Sequence, residues 1–362
     1  MKTRPWFSSS QAIAAFVRLV IFSAAMAGVA SAEEGAISKE MLSYFAPLPG
    51  EMPAKSNPVT EEKVALGRSL YFDPRLSLDG KTSCNSCHVL DAYGVESGRN
   101  KMKRNVPMVY NAALHVGQYW DGRAADVEEQ AMRAVVDSAE LAMPDIDVIL
   151  EVLNSIPGYV EAFASAFPDN EEPPMSLDHF GKAVGAFERK LVTPGRFDQF
   201  LGGDEAALTA REKAGLVEFV QVGCVACHSG QALGGKLYQK LGLVRPWPQL
   251  KDNGRFGVTG EEADRFVFKV PGLRNVAKTA PYLHDGSIKS LEQTVEWMAW
   301  HEIGQYLDRS SVRSIVAFLA TLTGELPPQE LIGKPELPAD GATTAGILAN
   351  LQAGAWGGKP VQ

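Results

Sequence analysis

The chain reads as a mostly α protein of two related modules with few or no strands. Three observations carry this. Apolar residues recur at helical spacing behind helix-start signals, period-2 strand patterns are scarce, and the same short cysteine motif stands near the start of each half. Length and composition agree: 362 residues leave room for about two domains of roughly 150 residues each. With 45% apolar and 22% charged residues the chain has the balance of a globular protein, not of a disordered one. A net charge of −8 argues against nucleic acid as a partner, because such binders carry a basic footprint.

At the N-terminus, Lys2, Arg4 and Arg18 precede an apolar run over residues 19–29, and Ala30-Ser31-Ala32 supplies the small residues of a cleavage site before Glu33. This predicts a secretory signal peptide over residues 1–32 and a protein exported to the periplasm. The run is too short for an uncleaved anchor, since a membrane-spanning helix needs about twenty apolar residues. Without the peptide, 32 basic residues face 43 acidic ones, a net charge of −11. No later segment is long and apolar enough to span a membrane.

Further along, Ser176 stands before a helical pattern over 177–192, and the Pro/Gly-containing stretch 192–204 divides the chain. Thr209 with Glu212 forms a capping box ahead of 210–222, and Ser290 with Gln293 opens 291–300 in the same way. A last helix is predicted over 309–323, ended by Gly324. The resulting organisation is an N-terminal module over 33–193, a C-terminal module over 194–332, and an Ala-, Gly- and Pro-rich extended arm over 333–362.

All four cysteines lie in two C-x-x-C-H motifs, Cys84-Asn85-Ser86-Cys87-His88 and Cys224-Val225-Ala226-Cys227-His228. In this pattern two thiols form thioether links to one haem and the adjacent histidine becomes an iron ligand. A redox dithiol, half a zinc site or a disulfide would use C-x-x-C alone. Both pairs carry the histidine and no cysteine is left over, which favours two covalently bound haems c in two cytochrome c-like domains. For a second ligand to the later iron, Met298 is the only methionine after that motif, and His301 lies one turn along the same helical face. A thioether ligand would raise the potential of that haem. Near the first motif the candidates are Met102, Met108 and His115, and an iron left open on one side is the alternative.

The stretches RNVPMVYNAALHVGQYWDGRAADVEEQA (104–131) and FKVPGLRNVAKTAPYLHDGSIKSLEQTVEWM (268–298), in order with both haem motifs, resemble the bacterial di-haem cytochrome c peroxidases and their relatives in the methylamine-utilisation maturation group. The resemblance runs from about residue 40 to 327. It implies that His88 holds the peroxide-reactive haem, that His228 and Met298 hold the electron-receiving haem, and that Trp120 relays between them. It further implies that Gln130 and Glu140 are the distal glutamine and catalytic glutamate. Asn105 and the backbone carbonyls of Thr279 and Pro281 would hold a calcium ion. Chemistry suits these roles: one carboxylate can take a proton from peroxide and return it to the leaving oxygen, and calcium prefers carbonyl and carboxamide oxygens. One departure stands out. Many relatives carry a distal histidine between the first haem motif and the R-N-x-P segment, whereas here VLDAYGVESGRNKMK (89–103) is shorter and holds none, with Met102 as the substitute cap.

The sequence therefore points to a periplasmic peroxidase that reduces hydrogen peroxide with electrons from a small c-type cytochrome or copper protein (cupredoxin). A maturation enzyme oxidising side chains of a partner protein is the alternative on the same fold, although a tyrosine replaces the methionine ligand in the methylamine-utilisation group. A non-catalytic electron carrier or sensor is a third reading, one that gives Glu140 and Gln130 nothing to do. The donor, assembly as a homodimer and the role of the arm stay open. Mass spectrometry of the exported protein is expected to show the apo-chain plus two haems, and a mass with one or none would refute the motif reading.

Overall fold

The computed structural model describes residues 37–95, 104–168, 173–339, 341 and 343–352. The signal-peptide segment and Met102 lie outside them. Among the described residues helices dominate, and the strand content is one antiparallel pair, Tyr238–Lys240 against Val267–Lys269.

The helices start where short polar side chains can cap them. Thr60 accepts from the Lys63 amide at the head of Glu61–Phe72, Asp126 from Glu129 ahead of Val127–Val136, and Ser176 from His179 ahead of Leu177–Glu188. Thr209 and Glu212 form the reciprocal box that opens Ala210–Val222, and Asp308 caps Arg309–Ala320. Ends are less faithful to the sequence pattern. The helix from Leu291 stops at Met298 and continues as a π-turn, Ala299–Ile303, in which the Gly304 amide reaches back to the Ala299 carbonyl. Gly324 ends no helix. It lies against Gly195, where an added Cβ would meet the Thr193 carbonyl at 1.9 Å.

One apolar cluster joins Glu61–Phe72, Val127–Val136, Ile146–Asn154, Pro157–Ala166 and Leu177–Glu188 around Leu66, Ile149, Tyr159, Phe163 and Phe180. A second joins Arg196–Leu201, Ala210–Val222, Leu291–Met298 and Arg309–Ala320 around Phe197, Leu216, Phe219 and Phe318. Each such buried side chain contributes about 1.5–3 kcal/mol of transfer free energy. The two clusters share a construction. The helix ahead of each cysteine pair crosses the last long helix of its half at a glycine, Gly67 against the Ala183 carbonyl and Gly215 against that of Ser314, where a Cβ would come within 1.9 Å.

The arm is only partly extended. Thr344–Gln352 is helical, Ile347 is buried in the first cluster, and the Thr344 hydroxyl donates to the Arg75 carbonyl at 2.7 Å. Burial of a few apolar residues in an Ala/Gly-rich run gave the sequence pattern too little periodicity to show this helix.

Where the halves meet, Asn111 and Asn275 both take left-handed backbone, φ 61° each, a region asparagine tolerates. Each Nδ2 donates to the Thr193 hydroxyl at 2.8 Å. Asn111 Oδ1 accepts the Thr193 amide at 3.1 Å, and Asn275 Oδ1 accepts the Gly324 amide at 2.9 Å. All three side chains are buried. Thr193→Val keeps the volume but leaves the Asn111 amide nitrogen unpaired and that of Asn275 with only Met108 Sδ, so chemical denaturation is expected to show a loss of roughly 1–3 kcal/mol; an unchanged midpoint would mean the seam carries no stability.

Candidate active site

The first cysteine pair forms a single helical turn, Cys84–Cys87, whose start is held by the Ser83 amide donating to Ser86 Oγ at 2.9 Å. The His88 amide returns to the Cys84 carbonyl at 2.9 Å, and the Tyr71 hydroxyl donates to the His88 carbonyl at 2.7 Å. His88 Nδ1 lies 3.3 Å from the Gly94 carbonyl and also faces that of Pro107. The second pair repeats this plan. Gly223, at φ 102°, turns the chain from Ala210–Val222 into Cys224–Ala226, and His228 Nδ1 lies 3.2 Å from the Leu233 carbonyl and faces that of Pro271.

Burial lowers both imidazoles, His228 to about 4, so both are neutral. A neutral ring whose Nδ1–H is held by a carbonyl presents Nε2 as a metal ligand. Burial pushes the Cys84 and Cys224 thiols up. A redox dithiol works instead through a thiolate stabilised by positive surroundings, and no disulfide joins these cysteines. Two cysteines on one turn, the first with its thiol raised by burial, followed by an oriented imidazole fit haem at both places.

Beside the first turn is a pocket lined by Thr82, Cys84, Cys87, His88, Gln130, Glu140 and Glu188, walled by Ala131, Ala134, Leu141 and Val184. No second histidine and no methionine lines it among the described residues. Gln130 projects from Val127–Val136, which a buried ion pair fastens to Leu177–Glu188: Arg189 donates to both Glu128 oxygens at 2.9 and 2.8 Å, and Asn57 adds a third bond. Glu140 sits on the loop that follows, pinned by Glu140 N to Asp137 O at 2.9 Å and Leu141 N to Ala134 O at 3.1 Å.

Gln130 Nε2 is 3.5 Å from Glu140 Oε2, and Arg123 Nη2 is 3.9 Å from Glu140 Oε1. Burial, and then the Asp137 carboxylate, push the Glu140 carboxyl up to about 7, while Tyr119 and Arg123 oppose the rise. Glu188 is buried on the far wall, and burial followed by the Glu128 charge raises it to about 8. Sequence reasoning singled out Gln130 and Glu140 and missed Tyr119, Arg123 and Glu188. Of these, only Tyr119 carries a local signal, its place beside Trp120.

Between the halves, Trp120 Nε1 donates to the Asn105 carbonyl at 2.8 Å, and the Lys269 amide donates to the Trp120 carbonyl at 2.8 Å. Asn105 Nδ2 lies 2.7 Å from the Pro281 carbonyl and 3.2 Å from that of Leu283. Thr279 stands on the same loop, two residues before Pro281. The first-half candidates His115 and Met108 are engaged elsewhere. His115 Nδ1 lies 3.3 Å from the buried Lys269 ammonium, and its ring fills the space over Gly235 and Gly272. Met108 Sδ accepts from Asn275 Nδ2 at 3.4 Å.

In the second half, Met298 packs in the apolar cluster that includes Cys224, Val225 and Leu233. His301 Nδ1 lies 3.1 Å from the Arg245 carbonyl, and its ring packs against Trp247 and Trp297 of the same cluster, at 4.8 and 5.6 Å. The π-turn after Met298 changes the angle between Met298 and His301 from that of a regular α-helix.

Residues 61–206 match the family model described as di-haem cytochrome c peroxidase. Over 328 residues the chain is 40% identical to the cytochrome c551 peroxidase of Pseudomonas aeruginosa, covering 86% of this chain and 93% of that protein. The chain belongs to the di-haem cytochrome c peroxidase family. Within that family it is also 35% identical to the methylamine utilization protein MauG of Methylorubrum extorquens, over 78% of this chain and 84% of that one. Among solved structures, a MauG-like protein associated with microbial copper homeostasis aligns at TM-score 0.67 and 27% identity, covering 83% of this chain and 98% of its own. The diheme peroxidase BthA of Burkholderia thailandensis shares the fold at TM-score 0.62 and 20% identity, over 81% of this chain and 94% of that one. Haem is thus the family's cofactor, and among the described residues no helix is long and apolar enough to cross a membrane.

Because His301 Nδ1 is engaged with the Arg245 carbonyl while Met298 packs in the cluster that includes Cys224, their substitutions separate. Met298→His is expected to lower the potential of the haem at His228, as imidazole for thioether does, while His301→Gln leaves it near wild type; a redox titration with the opposite pattern would make His301 the ligand.

Proposed function

We propose that the protein is a periplasmic di-haem cytochrome c peroxidase that reduces hydrogen peroxide to two waters, using two protons and two electrons from a small c-type cytochrome or cupredoxin. The observation that carries this reading is the Glu140 carboxyl, poised near neutrality beside Gln130 in the pocket that Cys84, Cys87 and His88 line. The signal peptide, cut near Ala32/Glu33, would deliver the chain to the periplasm.

Cys84 and Cys87, and likewise Cys224 and Cys227, would hold the two haems through thioether links, in modules over 33–193 and 194–332. His88 and His228 would be proximal ligands, and Met298 the second ligand at His228. Haem, when bound, supplies stored electrons and an iron to which peroxide binds. Glu140, once ionised, takes the proton from one peroxide oxygen and returns it to the oxygen that leaves. A carboxyl with a proton affinity near 7 both accepts and releases at neutral pH, whereas an ordinary glutamate releases far more readily than it accepts. Gln130 donates from Nε2 to hold the carboxylate or the bound oxygen.

Trp120, tied to Asn105 on one side and Lys269 on the other, offers a rigid aromatic bridge between the halves. Calcium would be held by Asn105, Thr279 and Pro281. Turning the Asn105 amide, whose O and N are interchangeable by assignment, places Oδ1 beside the Pro281 carbonyl as a pair of neutral oxygens suited to a hard cation. The partner surface would lie over the second haem. Relationship to MauG supports a protein substrate as the second reading.

The test is rapid mixing of the fully oxidised protein with peroxide. Immediate reaction is expected, because no second histidine or methionine lines the pocket among the described residues, and its rate should rise with pH through about 7 as Glu140 ionises. Glu140→Gln should lower that rate and steady-state turnover by about 10²–10⁴-fold while leaving the resting spectrum nearly intact. A low-spin resting protein that reacts only after half-reduction would mean that a residue caps the iron.

A further inference from the structure

The Tyr119 hydroxyl is a buried side-chain polar atom without a hydrogen-bond partner among the described residues. Such atoms are rare and costly, and each calls for an explanation. On its pocket side this hydroxyl faces Glu140 and Gln130, whose own contact is a long 3.5 Å. The residue is also held in left-handed backbone, φ 64°, where a bulky side chain is an outlier that its surroundings must enforce. Arg123 does part of the enforcing. Its guanidinium lies 3.4 Å from the centre of the Tyr119 ring and reaches Asp121 at 3.3 Å, Asp137 at 3.4 Å and Glu140 at 3.9 Å.

We propose that Tyr119 is a positioning residue of the peroxide pocket, its hydroxyl donating to the Glu140 carboxylate so that this group is held ionised and aimed when it takes the proton from peroxide. The proposal rests on Glu140 being the proton-transfer group. A phenol under a guanidinium is the better donor for it, since the cation favours electron withdrawal from the ring and oxygen. Long, imperfect hydrogen bonds around a pocket of this kind tighten once substrate is in place, and a small rotation of the Tyr119 ring or the Glu140 side chain closes this one. The hydroxyl thereby gains the partner it lacks.

The charged and titratable groups that face Glu140 are Arg123, Asp137 and Tyr119 on its own side, and Glu188, His88, Cys84 and Cys87 across the pocket, the last three being the haem-holding residues. Of these, Tyr119 and Arg123 favour the carboxylate, while burial and Asp137 oppose it.

Tyr119→Phe keeps the ring beneath Arg123 and removes one oxygen. The low-pH limb of kcat/KM for peroxide is expected to move up by roughly half a unit to one unit, making the variant about three- to tenfold slower at pH 6 and equal to wild type above the limb. The same shift should appear without turnover in the infrared carboxyl band of Glu140, recognised as the band missing from Glu140→Gln. A profile that superimposes on wild type, or a loss equal at every pH, would overturn the proposal. If the Phe variant fails to take up haem, 3-fluorotyrosine placed at position 119, a stronger donor of nearly the same shape, should move the limb to lower pH, and no movement would overturn it. Glu140→Gln separates the two levels. If that variant keeps the limb, the assignment of Glu140 falls and Tyr119 with it; if it abolishes the limb and Tyr119→Phe leaves it in place, only the role of Tyr119 falls.

Discussion

The Thr193 hydroxyl accepts one hydrogen bond from an asparagine of each half, and most of the site geometry is referred to that shared atom. Each asparagine ends a V-P-x-x-x-N segment, Val106 to Asn111 and Val270 to Asn275. The proline four residues earlier presents its carbonyl to the histidine of a C-x-x-C-H motif, Pro107 to His88 and Pro271 to His228. Because Asn111 and Asn275 have no freedom once buried against Thr193, the two carbonyls are placed and the two imidazoles take one tautomer and one orientation. The bonds are buried and satisfied, so displacing either segment would strand an amide and cost free energy out of proportion to the movement.

Electrostatics in the peroxide pocket follow from a second constraint, the exclusion of water by Ala131, Ala134, Leu141 and Val184. Desolvation is the largest influence on Glu140 and on Glu188, and it favours the protonated form of each. Each then has one carboxylate raising it and a cation opposing: Asp137 and Arg123 at Glu140, with Tyr119 adding to the opposition, and Glu128 and Arg189 at Glu188. Both carboxyls on this pocket are thus raised toward neutrality, and burial is the main cause in each.

Polar bonds and an apolar cluster that includes Tyr71, Leu90 and Ile332 both connect the halves. Trp120 joins Asn105 to Lys269 through one side-chain and one main-chain bond, and Arg104 bridges Asp121 and Asp252. These are directional bonds, and they hold an aromatic ring at a set place where a purely apolar seam would tolerate sliding.

Sequence alone determined the helical class, the capped starts at Ser176, Thr209 and Ser290, and both C-x-x-C-H motifs. These are local features, settled by a side chain and its neighbours within one or two turns, or by motifs whose spacing is set by one ligand. Tertiary structure decided what depends on distant packing. It ended the helix at Met298 and continued it as a π-turn that carries His301 to the Arg245 carbonyl. It gave Gly324 a close approach to Thr193 in place of a helix stop, and docked Thr344–Gln352 on the first core. Tyr119 and Arg123 join Glu140 only because their loop folds back over the pocket, so no periodicity along the chain could have named them. The V-P-x-x-x-N pair was visible in the letters, but its meaning is the meeting of both asparagines on one hydroxyl, a contact between residues far apart in sequence.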